Sequence, residues 1–159
     1  MIILACLIPE EQGDVTAHFT RWPLHITLVP WFEISGEKLP KFLTGLESIA
    51  HNYRPIRLNQ AGSANFGAGK TKVTLIRPTS EIISLHQDLL QAIVDSNALL
   101  LSEKHTGSDF RPHITQRADR SVPEDKVITS NKLYLVAKEY PNQRQIVHSI
   151  AFSKARTQA

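Results

Sequence analysis

The sequence predicts an α+β fold with antiparallel strand pairing. About seven short runs have the length and residue types of β-strands. Only two segments carry the spacing of amphipathic helices, and these do not alternate with the strands as a doubly wound parallel sheet requires. A third observation is a repeat: Leu24-His25-Ile26-Thr27 returns, about half the chain later, as Pro112-His113-Ile114-Thr115, which suggests two similar halves. The 159 residues suit one domain of ordinary size spanning 1–159.

Taken in order, Ile2 to Ile8 is a continuous apolar run of strand length, consistent with burial on both faces. It is too short to span a bilayer and lacks a basic flank, so it reads as a first strand rather than a signal peptide. Pro9-Glu10-Glu11 opens a short helix through about Thr20, with proline and acids in its first turn. Leu24 to Ile34 is a strand that bends or reaches an edge at Pro30. After the Ser35-Gly36 turn, Leu39, Phe42, Leu43, Leu46, Ile49 and Ala50 recur at helical spacing, and the helix ends near Asn52.

Ile56 to Asn59 starts a strand. The glycine-rich segment Gly62 to Gly69 is the long tip of a hairpin returning through Val73 to Ile76. Pro78-Thr79-Ser80-Glu81 begins the second helix, whose stripe is Ile82, Ile83, Leu85, Leu89, Leu90, Ile93 and Val94. Ser102 to Asp109 is a polar loop. Phe110 to Arg117 is the strand of the second motif, and Val122 to Asp125 starts a short helix or turn. Leu133 to Tyr140 and Ile146 to Phe152 are closing strands around Pro141-Asn142-Gln143. The polar end, Lys154 to Ala159, is expected to fray.

Composition narrows the function. The net charge of +3 permits a polyanionic ligand without demanding one. The single cysteine, Cys6, forms no internal disulfide and fits a reducing compartment, so a cytoplasmic location is expected. Its place in the first apolar run makes it a buried, inert thiol. No stretch has membrane length, and a monomer without membrane attachment is expected.

The repeated motif carries the chemistry. Residues two apart on a strand share a face. His25 and Thr27 therefore project together, as do His113 and Thr115, with Ile26 and Ile114 turned into the core. Both copies read His-Ile-Thr, with an aromatic three residues earlier (Trp22, Phe110) and a proline nearby (Pro23, Pro112). His18-Phe19-Thr20 also fits, but it falls in the segment read as helical, where positions two apart diverge. Two imidazoles and two hydroxyls around one cleft suit metal-free acid–base work on a phosphodiester.

Other features carry less. No Cys-x-x-Cys, no His-Glu-x-x-His and no carboxylate cluster accompanies either motif, so no metal and no cofactor is expected. His51, His86, His105 and His148 read as surface or core residues. Gly67-Ala68-Gly69-Lys70-Thr71 resembles the end of a P-loop, but Ala64 stands at the first required glycine and a strand follows where a helix is needed. Lys70 remains a candidate for a phosphate. Arg111, Arg117 and Arg120 surround the second motif and Arg21 precedes the first. Trp22 and Phe66 are candidates for stacking a base.

The doubled motif resembles that of the 2H phosphoesterases, the two-histidine superfamily of bacterial 2′-5′ RNA ligase-like proteins and RNA 2′,3′-cyclic phosphodiesterases. The resemblance implies a bilobal fold: two antiparallel sheets related by a pseudo-twofold around a central cleft, with helices outside. It implies His25 and His113 as general acid and base, in an order left open, and Thr27 and Thr115 as donors to the phosphate oxygens. Phe66, Lys70, Arg117 and Trp22 are further substrate-binding candidates. One departure is Gln116, where the family usually has an apolar residue. The implied function is hydrolysis of 2′,3′-cyclic phosphates on RNA ends or nucleotides. The alternatives are 2′-5′ ligase or 2′-5′ phosphodiesterase activity at the same site, or a non-catalytic nucleotide- or RNA-binding module.

Overall fold

The computed structural model describes residues 1–154 apart from 14, 118, 125 and 140. Strand β1 (Ile2–Leu7) pairs antiparallel on one edge with β3 (Ile26–Glu33) and on the other with β10 (Lys132–Glu139). Beyond β10 lie β11 (Gln143–Ala151) and the two-residue β2 (His18–Phe19). The first apolar run is thus a central strand, and its side chains divide between two faces. Ile3, Ala5 and Leu7 enter the main core, whereas Leu4 and Cys6 enter a smaller cluster on the opposite face.

The second half is a hairpin of β5 (Gln60–Phe66) and β6 (Thr71–Ile76), with β8 (His113–Thr115) against β6. The halves meet where β3 pairs antiparallel with β8, Ile26 opposite Ile114. A separate two-stranded sheet joins β4 (Ile56–Leu58) to β9 (Ile128–Ser130).

Helices α1 (Leu39–Ala50) and α2 (Ser80–Asp95) cover one face of the large sheet. The α2 start is capped by Thr79, whose hydroxyl accepts from the Ile82 amide at 3.4 Å. Phe42 and Leu46 of α1 pack with Ile82, Leu85 and Leu89 of α2 against Ile26, Leu28 and Phe32. The opposite face, the motif face, carries the smaller cluster, packed by Phe19, Trp22, Trp31 and Ile146. Among the described residues no helix is long and apolar enough to cross a membrane.

Strand β3 organises this frame. Its outer edge pairs with β8 near Ile26 and with β7 (Leu99–Leu100) near Phe32. Pro30, which has no amide hydrogen, falls between those pairings, where the register against β1 slips. The two polar groups freed there find other partners. The Leu28 carbonyl accepts from His86 Nδ1 at 2.6 Å, and the Trp31 carbonyl accepts from the Leu101 amide at 3.0 Å.

Several sequence expectations are corrected. The expected helix after Pro9 is a single 3₁₀ turn, Glu10–Gln12, and His18–Phe19 is a strand, not helix. His18-Phe19-Thr20 is therefore set apart from the motifs by its place on the edge strand and not by helical geometry. Most of the glycine-rich segment is strand β5, and the hairpin tip is only Gly67 to Lys70. The second motif strand is shorter than expected: of Phe110 to Arg117 only His113–Thr115 is strand, and Arg117 forms an isolated bridge with Arg120. Asp125, Tyr140 and residues 155–159, included in the expected turn, closing strand and frayed end, lie outside the described residues.

Candidate active site

The pairing of β3 with β8 builds the site. With Ile26 opposite Ile114 on antiparallel strands, the register sets His25 across from Thr115 and Thr27 across from His113. Two copies of His-Ile-Thr registered at their isoleucines have a local two-fold axis between them. Ile26 and Ile114 are fully buried on the helix side, so all four polar side chains emerge on the motif face. The two histidines are diagonal neighbours, with backbones about 7–8 Å apart, a gap that suits one phosphate group.

The rings are oriented in the same way. His25 Nδ1 donates to the Pro23 carbonyl at 2.9 Å, and His113 Nδ1 donates to the Arg111 carbonyl at 2.8 Å. A carbonyl can only accept, so each bond fixes the proton on Nδ1 and leaves Nε2 as the basic nitrogen of the neutral ring. Burial pushes the His25 pKa down to about 4, and the charges of Arg117 and His113 push the same way, against the Pro23 carbonyl. Burial also lowers His113, aided by Arg111 and opposed by the Arg111 carbonyl. Both rings are therefore predominantly neutral near pH 7 in the unliganded protein.

Each ring has an aromatic support. Trp22 stacks on His25, with centroids 4.4 Å apart and planes at 28°. Phe66 meets His113 edge-on at 4.7 Å. Phe66 reaches this face because Ala64, Val73 and Thr115 lie in one cross-strand row, and Phe66 is two residues from Ala64. The sequence symmetry is broken here. Phe110, which matches Trp22 in spacing, stacks instead on buried His86, at 4.0 Å and 4°.

The other candidates separate. Arg117 is exposed, and its charge acts on His25. Arg111 lies over the Phe66 ring at 4.9 Å. Arg21 and Arg120 share the one carboxylate of Asp119, which offsets only part of their combined charge. Lys70 is exposed at the hairpin tip, its amide bonded to the Gly67 carbonyl at 3.3 Å, and no described contact joins its side chain to the histidines. Gln116 points away from the motif face and donates to Thr74 Oγ1 at 3.0 Å. A polar cavity of about 400 Å³ lies there, lined by Gln60, Lys72, Thr74 and Gln116, which explains how an amide replaces an apolar residue.

Two histidines read as surface or core have definite places. His105 corrects that expectation: it stacks on Phe66 at 5.3 Å and meets His113 edge-on at 5.7 Å. With Thr27, Trp31, Arg111 and His113 it lines a cavity of about 270 Å³. Its backbone is left-handed, φ +58°, and a loop position of this kind has no periodic signal in the sequence. His86 is a core residue. Its Nε2 accepts from the Gly107 amide at 2.9 Å while Nδ1 donates to Leu28, so one neutral ring ties the loop before His113 to the first motif strand. Cys6 is buried opposite Thr27, and burial pushes its thiol well above the usual range. Among the described residues no group of three His, Cys, Asp or Glu side chains is placed to hold a metal ion.

Two histidine–threonine pairs across a local two-fold, on one face of an antiparallel sheet, define the 2H phosphoesterase class. Within it, the chain belongs to the 2′-5′ RNA ligase superfamily, whose family model matches residues 11–155. Its fold is similar to that of TT0787 of Thermus thermophilus, at 19% identity over 98% of this chain and 100% of that one, TM-score 0.64. It is also similar to E. coli LigT, solved in complex with 3′-AMP, at 17% identity over 96% of this chain and 98% of that one, TM-score 0.63. No curated protein sequence matches significantly. The α+β architecture implied by the resemblance is the one observed, two helices on mostly antiparallel sheets with no closed barrel.

Proposed function

We propose that this protein is a metal-independent phosphoesterase that opens 2′,3′-cyclic phosphates on RNA ends or nucleotides. The observation that carries the reading is the matched pair of imidazoles, each with Nδ1 tied to a backbone carbonyl two residues back. A binding module needs cations and donors. It does not need two rings held in the same tautomer on opposite sides of one phosphate.

In the proposed reaction His25 is the base, because the ring with the more depressed pKa is neutral over the wider range. Its Nε2 takes a proton from water as the water oxygen bonds to phosphorus. The bond from phosphorus to O3′ breaks on the far side, in line, and protonated His113 gives its proton to that oxygen, leaving a 2′-phosphate. Thr27 and Thr115 donate to the non-bridging oxygens, where charge accumulates. The preference for O3′ as leaving group rests on the family resemblance. LigT was crystallised with 3′-AMP, with ATP and with phosphate, which supports a nucleotide or RNA end as ligand here.

The test is phosphorus NMR of 2′,3′-cyclic nucleotides incubated with the protein and excess EDTA. A 2′-monophosphate should accumulate at the rate seen without chelator. Tight binding without turnover on any cyclic or 2′-5′-linked substrate would instead indicate a binding module, and loss of turnover with EDTA would overturn the metal-free mechanism.

A further inference from the structure

The motif face does not end at the histidines. Thr27, Cys6 and Tyr134 lie in one cross-strand row, and two-residue steps along β10 carry the same face to Val136 and Lys138. Lys138 stands directly opposite Arg144 on β11. Like charges facing each other across a strand pair are destabilising, and among the described residues no carboxylate forms an ion pair with either. Arg144 is held by one bond, Nη1 to the Gln143 carbonyl at 3.1 Å, while its Nε is buried without a partner.

Between these cations and the active-site cavity stands Trp31. The Arg144 guanidinium carbon lies 5.4 Å and the Lys138 ammonium 6.0 Å from its ring centroid. Trp31 also meets Trp22 edge-on at 6.2 Å, and Trp22 covers His25. The indole is half-buried and lines the same cavity as Thr27 and His113. A π-surface flanked by unneutralised cations, on the face that leads into the phosphate cleft, has the chemistry of single-stranded nucleic-acid binding, where aromatics stack bases and cations track the backbone.

We infer that Trp31, Lys138 and Arg144 form a second nucleotide subsite that holds the residue on the 5′ side of the reacting end, so that the preferred substrate is an RNA strand rather than a mononucleotide. The assignment of the strand direction rests on the proposed opening of a cyclic phosphate, which lies at a 3′ end. Trp31 or the Arg144 plane stacks the penultimate base, and Lys138 with Arg144 meets the phosphate that joins it to the terminal nucleotide.

Two substrates test this: 2′,3′-cyclic CMP, and a tetranucleotide RNA carrying the same cyclic end. The wild type should show the higher kcat/KM on the tetranucleotide. Lys138→Gln with Arg144→Gln should lower that value about tenfold for each charge-assisted hydrogen bond removed, while kcat/KM on cyclic CMP changes less than about twofold. Trp31→Leu should weaken binding of a fluorescent tetranucleotide 2′-phosphate about five- to 150-fold in anisotropy. The salt dependence of that binding should flatten in the double variant by about 0.7 in log–log slope for each phosphate no longer neutralised. Equal wild-type efficiency on both substrates, or a double variant that keeps the preference and the slope, overturns the subsite and leaves the hydrolytic reading standing. If the wild type hydrolyses neither substrate, the hydrolytic reading falls and anisotropy still decides the subsite: tetranucleotide binding weakened in the double variant supports it, and unchanged binding overturns it.

Discussion

The pH dependence of the unliganded enzyme tests the proposed division of labour between the two rings. In the proposed mechanism turnover requires neutral His25 and protonated His113. With His25 near pKa 4, about 99% of that ring is neutral at pH 6, and kcat/KM should lose its base only towards pH 4. His113 lies below its ordinary 6.5, so less than about a quarter of it is protonated at pH 7, and kcat/KM should fall about tenfold per unit above that. The kcat/KM optimum therefore sits between about 4 and 6.5. A bound phosphate anion favours both charged imidazoles, so the kcat profile should lie to the alkaline side of the kcat/KM profile. Two exposed arginines assign the limbs. Arg117 lowers His25 and Arg111 lowers His113, and removing a nearby cation raises a histidine pKa. Arg117→Gln should move the acid limb upward and leave the alkaline limb in place, and Arg111→Gln should do the reverse. Both shifts should shrink at high salt. The assay is initial-rate hydrolysis of a cyclic nucleotide across this range, with histidine C2–H chemical shifts followed in parallel. An acid limb at 6.5 or above in the wild type, or an acid limb that moves with Arg111 rather than Arg117, would refute the assignment.

Three further outcomes are expected. His25→Ala and His113→Ala should each lower kcat by about 10²–10⁴-fold with an unchanged circular dichroism spectrum; a variant that keeps full turnover removes that ring from the mechanism. Trp22→Ala should uncover His25, raising its pKa as burial is relieved and lowering kcat more than it changes KM, read by NMR titration beside steady-state kinetics. His86→Leu should strand the Leu28 carbonyl and the Gly107 amide, costing about 1–3 kcal/mol for each group left unpaired, measured by urea unfolding. The folded-state pKa of His86 is lowered by burial. Its contribution to stability is therefore complete above about 6.5 and is lost as pH falls below that value, because only the unfolded chain takes up the proton there. The wild-type midpoint should drop on acidification, and the part due to His86 should be missing from the leucine variant.

The repeat could be read because its information is local. A His-x-Thr on a strand fixes which side chains share a face, whatever the strand pairs with, and matched copies imply a matched site. The two helices were legible for the same reason, since their stripes recur within one segment. What remained hidden depends on contacts between distant segments. Phe110 sits at the spacing of Trp22, yet tertiary packing turns it towards His86 and gives the support of His113 to Phe66, from another hairpin. His105 reaches the cleft on a left-handed loop residue with no period to betray it. The short strands β2, β7 and β9 have two or three residues each, too few to alternate visibly. Arg21 and Arg120 have the look of ligand-binding cations in the sequence, but Asp119 stands between them in the fold.

The local two-fold also explains why one sequence motif can supply both an acid and a base. Registered at Ile26 and Ile114, identical strands place identical side chains by rotation, and rotation alone makes the two rings equivalent. Opposite roles therefore need something outside the motif. The surroundings provide it: a stacked indole and Arg117 act on His25, and an edge-on phenyl, Arg111 and a third imidazole surround His113. In the proposed reaction the symmetry would place one ring on each side of phosphorus for in-line attack, and the asymmetric shell would set which ring gives the proton. Exchanging the aromatic surroundings of the two rings while keeping both motifs should move the titration limbs without moving the rings.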